Sequence, residues 1–358
     1  DYTPTNGYIN NTGTNLGITD DINGVVRSVT TPDVGAFEWI CNPISGIYSI
    51  DPGNPITASN VQTFQQAVDL LSCGINGPVV FNVVGTPTFT EQIDIPEING
   101  SSATNTVTFN GNGSTLTHAA SSSTSRHTLR LSGADYFRFN NLNINATGAT
   151  YGNAVHLYNQ SNHNVIDSCT MTVSISSTSN NLYPLAVCGH PDNPAAPPTN
   201  PTCDSNLFRN STFTGGYVGA FVQGNTTDYC VANRIEDCAV QDFRYWGIYA
   251  RWANNTSLIQ NEISRPSRAN SNTLSVGIQA VTGVEQSNIS KNRIHDMFVT
   301  GLAQSTSTFG MNGIIGGDSV LIENNVIYDI NCRGSQVGIY LLTNATGARI
   351  WHNTVVFD

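Results

Sequence analysis

The sequence predicts an all-β solenoid, a parallel β-helix in which short strands wind through about ten coils. Two repeated patterns carry this prediction: one motif with an apolar core recurs along most of the chain, and a second, opened by glycine, recurs between its copies. The polar positions are rich in Asn, Thr, Ser and Gly, a mixture that favours strands and turns over long helices.

The first motif is clearest at 320–329, VLIENNVIYD. An apolar residue is followed three places later by Asn, and two places after that by a second apolar residue. The eight copies hold, at the Asn position, Leu142, Cys169, Ser211, Cys238, Asn261, Asn292, Asn325 and Asn353. They are separated by 27, 42, 27, 23, 31, 33 and 28 residues, and the long interval contains an inserted loop at 188–203. Such periods fit a parallel β-helix, since leucine-rich repeats need a leucine spacing that is missing here and propellers need longer repeats.

The last four Asn positions predict a ladder of stacked amides. Asn tolerates left-handed backbone angles at a bend, and stacked amides can hydrogen-bond from coil to coil. Asn261, Asn292, Asn325 and Asn353 are therefore expected to be structural.

The second motif places a candidate binding surface on the rod. Side chains alternate along a strand, so the second residue after each glycine should point outward. These outward residues are Phe221, Tyr249, Gln279, Ile315 and Tyr340, with His156 further up the same row. Tyr245, Trp246, Arg251 and Trp252 are close to Tyr249 in the chain. An exposed aromatic stripe suits sugars or a protein partner; the alternative is that long turns or the 188–203 loop cover it.

Residues 1–41 lack both motifs. Residues 21–39, DINGVVRSVTTPDVGAFEW, resemble the closing motif "D-x-D/N-G-x-x-R … P-D-I-G-A-x-E" of bacterial right-handed β-helix surface proteins. In that family the motif ends a β-helix, so 1–41 is expected to be the closing segment of a preceding or neighbouring module, and 42–358 the β-helix domain. Asp21, Asn23 and Gly24 are expected to form a tight turn, because the twelve-residue calcium-loop pattern is missing.

A short capping helix is predicted near 60–72. Val61, Phe64, Val68 and Leu71 fall on one face, Ser59 or Asn60 can cap the start, and Gly74 can end it. The arrangement of this helix followed by an apolar strand at 79–84 resembles the N-terminal cap of β-helix domains in large exported proteins of the Bacteroidota. The resemblance implies a right-handed helix and a location at the cell surface or outside the cell.

Eight cysteines are usual for an exported chain. Cys188 and Cys203 flank the Pro-rich loop and are the favoured disulfide pair; Cys203 with Cys230 is the rival, and Cys41 with Cys73 is a further candidate. Cys169 and Cys238 share a motif position but lie two coils apart, roughly 10 Å, which is too far to bridge.

The net charge of −11 argues against a nucleic-acid partner, and no apolar run reaches the ~20 residues of a membrane span. Right-handed β-helices include pectate lyases and polygalacturonases, but their catalytic motifs are not found. Arg265 and Arg268 flank Pro266 only loosely as in pectate lyases. A column of Asp242, Asp296 and Asp329 could cap turns or weakly bind calcium, and turn-capping is favoured. No cofactor is expected.

Three functions follow. The first is a non-catalytic structural or adhesive segment of an extracellular bacterial surface or filament protein, assembling head-to-tail with copies of itself or with adjacent modules. The second is a polysaccharide lyase or glycoside hydrolase, and the third is a carbohydrate-binding module.

Overall fold

The computed structural model describes residues 12–38, 42–189, 196, 202–268, 274–281, 283–298, 311–332, 334–343 and 345–357. Its strands form three long sheets whose strand pairs are all parallel, and successive strands of each sheet come from successive coils. The predicted parallel β-helix is confirmed.

The three sheets, here named A, B and C, contain the following strands in chain order. Sheet A has twelve: Ile44–Ile50, Asn60–Val61, Ile75–Val83, Val107–Asn110, Phe137–Asn140, Val165–Asp167, Leu207–Arg209, Arg234–Glu236, Ser257–Ile259, Asn288–Ser290, Leu321–Glu323 and Arg349–Trp351. Sheet B has ten: Thr88–Thr90, Thr115–His118, Asn143–Ala146, Thr170–Thr172, Thr212–Thr214, Ala239–Gln241, Glu262–Ser264, Arg293–Ile294, Val326–Ile327 and Thr354–Val355. Sheet C has nine: Ile93–Pro96, His127–Ser132, Gly152–Tyr158, Leu182–Cys188, Val218–Gln223, Trp246–Arg251, Ser275–Val281, Met311–Gly316 and Gln336–Leu341. Cys230–Val231 and Ala253–Asn254 form a small separate pair.

The core consists of inward side chains stacked from coil to coil. In sheet A, Ile235, Leu258, Ile289 and Ile322 pair in register and are at most 1% exposed. Alternate positions point outward, so each short strand contributes one or two apolar side chains to the interior. Most of the buried apolar residues form one continuous core.

A helix closes the first coil, as predicted. It spans Phe64–Leu70 and continues as a 3₁₀-helix through Leu71–Cys73. The N-cap is Thr63, whose Oγ1 accepts from the N–H of Gln66 at 3.1 Å, and not Ser59 or Asn60. Asn60 instead begins a short strand of sheet A, which removes it from the helix.

The predicted apolar face of this helix packs on the core: Val61, Phe64, Val68 and Leu71 are all buried. Phe64 lies edge-on to Phe89 at 5.0 Å between ring centroids. The helix therefore covers an end of the solenoid that would otherwise expose apolar side chains.

The Asn ladder is present where the motif predicts it. The Oδ1 of Asn292 accepts from the backbone N–H and the side-chain amide of Asn261, both at 3.0 Å, and Asn325 and Asn353 repeat the pattern. Each ladder amide also donates to a backbone carbonyl, as Asn261 does to Ile235 at 2.9 Å. The first three Asn side chains are almost fully buried. They are structural.

A second amide ladder was not predicted. Asn164, Asn206 and Asn233 are buried and linked by the same bonds, with Asn164 Nδ2 donating to Asn206 Oδ1 at 3.1 Å and Asn206 Nδ2 to Asn233 Oδ1 at 3.1 Å. Its three members come from three successive coils, so the pattern repeats too few times to stand out in the sequence.

The glycine that opens the second motif is explained by close packing between coils. A Cβ on Gly277 would lie 2.7 Å from the carbonyl oxygen of Gly313 and 2.8 Å from the side chain of Ile294. A Cβ on Gly247 would likewise lie 2.5 Å from the carbonyl oxygen of Gly277. Successive glycines therefore let the backbone of sheet C approach the core side chains of sheet B.

The cysteines differ from the prediction. Cys188 and Cys203 are free thiols, as is Cys230 of the rival pair. The sulfur of Cys188 lies against the backbone of Cys203 and accepts from its N–H at 2.7 Å. Cys73 is disulfide-bonded, and its predicted partner Cys41 lies outside the described residues, as does most of the 188–203 loop.

Residues 12–38 are linked to one another by hydrogen bonds centred on Asp21. The carboxylate of Asp21 accepts from the backbone N–H groups of Asn23, Val25 and Glu38 at 2.7 to 2.9 Å, and the Glu38 contact is the largest cause of its lowered pKa. Glu38 in turn pairs with Arg27 at 3.4 Å. The carboxylate of Asp21 thus folds a tight turn, as expected.

Among the described residues, no helix has the length and apolar character required to span a membrane.

Candidate functional site

The predicted outward row exists on the outer face of sheet C. Strand register places its members side by side, one per coil, in the order Asp94, Arg130, His156, Ala186, Phe221, Tyr249, Gln279, Ile315 and Tyr340. The glycine spacing therefore predicted the register from Phe221 to Tyr340, and His156, placed further up the row without a motif glycine, lies in the same row. The row is polar in the early coils and aromatic in the middle.

The polar part of the row is internally satisfied or buried. Arg130 pairs with Asp94 through two contacts, of 2.5 and 3.0 Å. His156 is fully buried, and its Nε2 donates to the carbonyl of Cys188 at 3.1 Å. Burial lowers the pKa of both His156 and His127 to about 3, with the Arg130 charge adding to the effect. Both imidazoles are neutral at pH 7, and the buried His156 cannot contact a polymer.

The aromatic part encloses a shallow cleft of about 160 Å³. Its ring centroids are spaced 5.2 to 5.4 Å apart: Tyr217 to Trp246 at 5.3 Å, Trp246 to Tyr249 at 5.4 Å and Tyr249 to Phe221 at 5.2 Å. The full lining, here called the aromatic cleft, is Tyr183, Tyr217, Val218, Phe221, Gln223, Trp246, Tyr249 and Arg251.

The predicted surface residues divide by burial. Trp246, Tyr249 and Arg251 are half-buried, so parts of their side chains remain accessible at the cleft. Tyr245 is also half-buried but does not line the cleft. Tyr340 is 45% exposed but lies in the last coil, away from the cleft.

Four residues of the predicted surface are buried instead: His156 and Ile315 of the outward row, and the aromatic residues Phe221 and Trp252. Phe221 is 4% exposed because Tyr183 and Tyr249, in the flanking coils, cover its ring from both sides at 5.9 and 5.2 Å. Trp252 is 8% exposed. It follows the strand at a bend with φ of 47°, and the guanidinium of Arg251 lies over its ring at 3.7 Å. A side chain that points away from the core can therefore still be buried when large neighbouring side chains cover it.

The cleft carries hydroxyl donors and one positive charge. Burial raises the pKa of Tyr217 and of Tyr249, so both hydroxyls stay protonated at neutral pH. Arg251 is the one charged side chain of the lining, and no carboxylate in the described part of the chain forms an ion pair with it. Trp246 donates its indole N–H to Gln279 at 2.5 Å, which fixes the ring.

Arg265 and Arg268, which loosely resemble a lyase motif, hold the backbone together. Arg265 donates to the carbonyls of Phe243 and Met297, both at 2.8 Å. Arg268 donates to the carbonyls of Ser177 at 2.6 Å and Asp242 at 2.9 Å. Burial lowers the pKa of each to about 10, so both stay charged at neutral pH.

The aspartate column also serves turns. Asp242, Asp296 and Asp329 all have φ near +50°, and Asp242 accepts from the N–H groups of Ser267 and Arg268 at 2.8 and 2.9 Å. Over the residues that the structure describes, no cluster of three or more His, Cys, Asp or Glu side chains is arranged to hold a metal ion.

The structure contains one cluster of ionisable side chains that the sequence did not predict. His295 lies between two carboxylates, with Nε2 3.3 Å from Glu262 and Nδ1 2.7 Å from Asp296, and its ring stacks on Tyr328 at 4.9 Å. Both carboxylate side chains are 54% exposed. Glu262 and His295 come from successive coils, so only the coil register brings them together.

Tyr183, Tyr217 and Gln223 were also missed as cleft residues. Tyr183 belongs to a strand without the glycine motif, and Tyr217 precedes a motif glycine, where the alternation rule was not applied. Aromatic residues before the glycine, as in the Tyr-Trp pair 245–246 one coil later, were the available signal.

Comparisons with known proteins agree with the architecture. Residues 201–356 match the family model described as "Right handed beta helix region". No curated protein matches the chain in sequence. Among solved structures, a GH136 lacto-N-biosidase from Eubacterium ramulus is similar with a TM-score of 0.50 at 10% identity, covering 87% of this chain and 67% of that one.

Two further solved structures are similar at lower TM-scores. Pectate lyase Pel9A has a TM-score of 0.49 at 14% identity, covering 89% of this chain and 79% of that one. The pectin methylesterase from Aspergillus niger has a TM-score of 0.44 at 14% identity, covering 89% and 88%. The matched family model and the three parallel sheets establish a right-handed parallel β-helix fold for the described residues that follow position 42.

Proposed function

We propose that this chain is a non-catalytic, adhesive rod of an exported bacterial surface or filament protein, and that the aromatic cleft is its glycan-binding surface. The observation that supports this most is the set of half-buried rings Tyr217, Trp246 and Tyr249, held at fixed angles on one face of the rod. Rings fixed in this way can stack on the apolar face of a sugar without losing side-chain freedom on binding.

The chemistry of the rim supports a sugar over an apolar ligand. Tyrosine hydroxyls and the Arg251 guanidinium lie beside the rings, so apolar and hydrogen-bonding groups meet at one place. The cleft is smaller than the ~300–1,000 Å³ of a pocket that encloses a whole ligand. It suits one ring of a longer glycan lying across the rod.

The test is binding of soluble polysaccharides, neutral and acidic, by affinity electrophoresis and calorimetry. The double substitution Trp246→Ala and Tyr249→Ala should weaken binding at least about tenfold, or roughly 1.4 kcal/mol. Tyr340→Ala is the matched control, because Tyr340 is exposed in the same row but outside the cleft. The proposal is contradicted if the double variant binds as tightly as the unmodified chain, or if the unmodified chain binds no polysaccharide.

A polysaccharide lyase or hydrolase is the second candidate, and the cluster around His295 favours it. A histidine between Glu262 and Asp296, with both carboxylates accessible, has groups suited to acid–base work. Incubation with acidic and neutral polysaccharides, with and without calcium, tests this. Chain cleavage that is lost in His295→Gln would replace the non-catalytic proposal.

A further inference from the structure

A second cleft lies where the early strands of sheet A bend towards sheet B. It has a volume of about 350 Å³ and is lined by Asn82, Val83, Asn110, Asn112, Asn140 and Asn141. The Nδ2 of Asn110 donates to Asn82 Oδ1 at 2.8 Å, and that of Asn140 donates to Asn110 Oδ1 at 2.9 Å. These three side chains are half-buried, whereas Asn261, Asn292 and Asn325 of the other ladder are buried. The bonds therefore fix the amides in one line and leave donors and acceptors facing solvent.

Two columns of hydroxyl groups continue this surface on the outer face of sheet B. Strand register places Thr88, Thr115, Asn143, Thr170 and Thr212 side by side, and the residues two positions later form a second column of four Thr and one Asn. The apolar residue between the two members of each strand is buried, so both columns point outward. In the described part of the chain, none of the eight Thr hydroxyls has a hydrogen-bond partner, and none is sealed from solvent. Successive rungs are one coil apart, ~4.8 Å.

This surface carries no charge. Asp, Glu, Lys and Arg are absent from 82–90, 110–117, 140–147, 168–174 and 210–214. The uncharged run ends in sheet A at Asp167 and Arg209, which follow Asn140 in register and pair with each other at 2.7 Å. In sheet B it ends at Glu262, two strands beyond Thr212. An ionic ligand would lose hydration here without gaining an opposite charge.

We infer that this amide–threonine face, formed by the Asn-lined cleft and the two columns, binds a neutral polysaccharide lying along the rod. Each amide offers a donor and an acceptor, which is what neighbouring hydroxyls of a sugar require, and each Thr adds a hydroxyl beside a methyl group. The amides are already held in place, so binding costs little side-chain freedom. The volume of the cleft falls in the ~300–1,000 Å³ range of ligand sites.

The shape of the face favours a flexible polymer over a flat crystalline surface such as ice. A flat surface would contact the columns but not the cleft, and Asn143 and Asn145 interrupt the columns. A polymer chain can follow both parts. The face shares no residue with the aromatic cleft, so the inference does not depend on the function proposed for that cleft.

The experiment starts from a background chain that carries Trp246→Ala and Tyr249→Ala, so that the aromatic cleft does not contribute. Affinity electrophoresis and calorimetry measure its binding to mixed-linkage β-glucan, glucomannan and dextran, with polygalacturonate as the acidic comparison. Circular dichroism and melting temperature verify that every variant folds.

Two variants of this background each remove one part of the face. The cleft variant adds Asn112→Gly and Asn141→Gly, because both residues have φ near +50°, which glycine adopts without strain. The threonine variant replaces Thr115, Thr117, Thr170 and Thr172 by Val, which keeps the branched shape and removes the hydroxyl.

The matched control adds Asn324→Gly and Thr354→Val to the same background. Asn324 is exposed, has φ of 55° and precedes a ladder residue, as Asn141 precedes Leu142. Thr354 belongs to the first column but lies beyond Glu262 and Arg293.

The background chain and the control should bind at least one neutral polysaccharide with equal affinity. Each variant should bind it at least about tenfold more weakly, because two or more hydrogen bonds are lost. Affinity should be the same at about 0.1 M and 1 M salt, since no ion pair is screened.

The inference is overturned if the background chain binds no neutral polysaccharide, or if either variant binds as tightly as the background. Equal weakening in the control, or a salt-sensitive preference for polygalacturonate, also overturns it. Ice crystals shaped by the background chain but not by the threonine variant, without polysaccharide binding, would assign the columns to ice instead. All these outcomes leave the proposal for the aromatic cleft standing, because every chain compared lacks its rings.

Discussion

Removing a buried rung of the Asn ladder should cost several kcal/mol of unfolding free energy. Asn292 accepts two hydrogen bonds from Asn261 at 3.0 Å and donates two, to the carbonyl of Leu258 and to Asn325, at 2.9 Å. Asn292→Ala removes all four at a site with no exposure. At about 1 kcal/mol net per bond, with more for the buried N–H of Asn261 left without its acceptor, the loss is about 3–5 kcal/mol.

The control is the rung at the end of the same ladder. Asn353 also makes four bonds, to the N–H and amide of Asn325 and to the carbonyls of Ile322 and Trp351, at 2.8 to 3.0 Å. It is only half-buried, so water can replace what alanine removes. Asn353→Ala should cost about 1 kcal/mol or less.

Urea unfolding followed by circular dichroism and tryptophan fluorescence measures both losses. The comparison separates bond number, which is equal, from burial, which differs. If the two variants lose the same stability, the claim that burial sets the strength of the ladder is refuted.

Three more outcomes are expected. Gly277→Ala should lower stability by about 1–3 kcal/mol, because the new methyl overlaps the Gly313 carbonyl, and an unchanged melting temperature would refute the packing argument. The folded-state pKa of about 3 for His127 and His156 lies below the ordinary 6.5, so the stability that the two neutral imidazoles contribute is fully present above pH 6.5. This stability falls as the pH drops towards 3, by up to about 1.4 kcal/mol per pH unit for each histidine. Melting temperatures from pH 7 to 4 test this, and His127→Gln should make them depend less on pH. Arg268→Met should increase hydrogen exchange at the three carbonyl-bearing segments it joins, with the rest of the rod unchanged.

The repeating columns were predictable because a solenoid reuses one geometry in every coil. The Asn position, the motif glycines and the row from Phe221 to Tyr340 follow from spacing, and each is in register in the structure. Alternation along a strand determines which way a side chain points, and repetition determines its neighbours in the next coil.

What lies around an outward side chain was not predictable in the same way. Phe221 and Trp252 point out of the core yet are buried, because a neighbouring ring and a guanidinium lie on them. The free thiols of Cys188 and Cys203 show a related limit: adjacency in the fold does not specify which atoms face each other. Both depend on side-chain rotamers and bends that spacing does not encode.

The linear architecture separates the aromatic cleft from the last described coil. In sheet C the cleft strand Trp246–Arg251 lies three strands from the outermost strand Gln336–Leu341. Each coil of a solenoid contacts mainly its immediate neighbours, so a substitution in the last coil should leave the cleft undisturbed. Any loss of glycan binding in Tyr340→Ala would therefore require a direct contact between the glycan and Tyr340, and would show that the glycan extends along the row beyond the cleft.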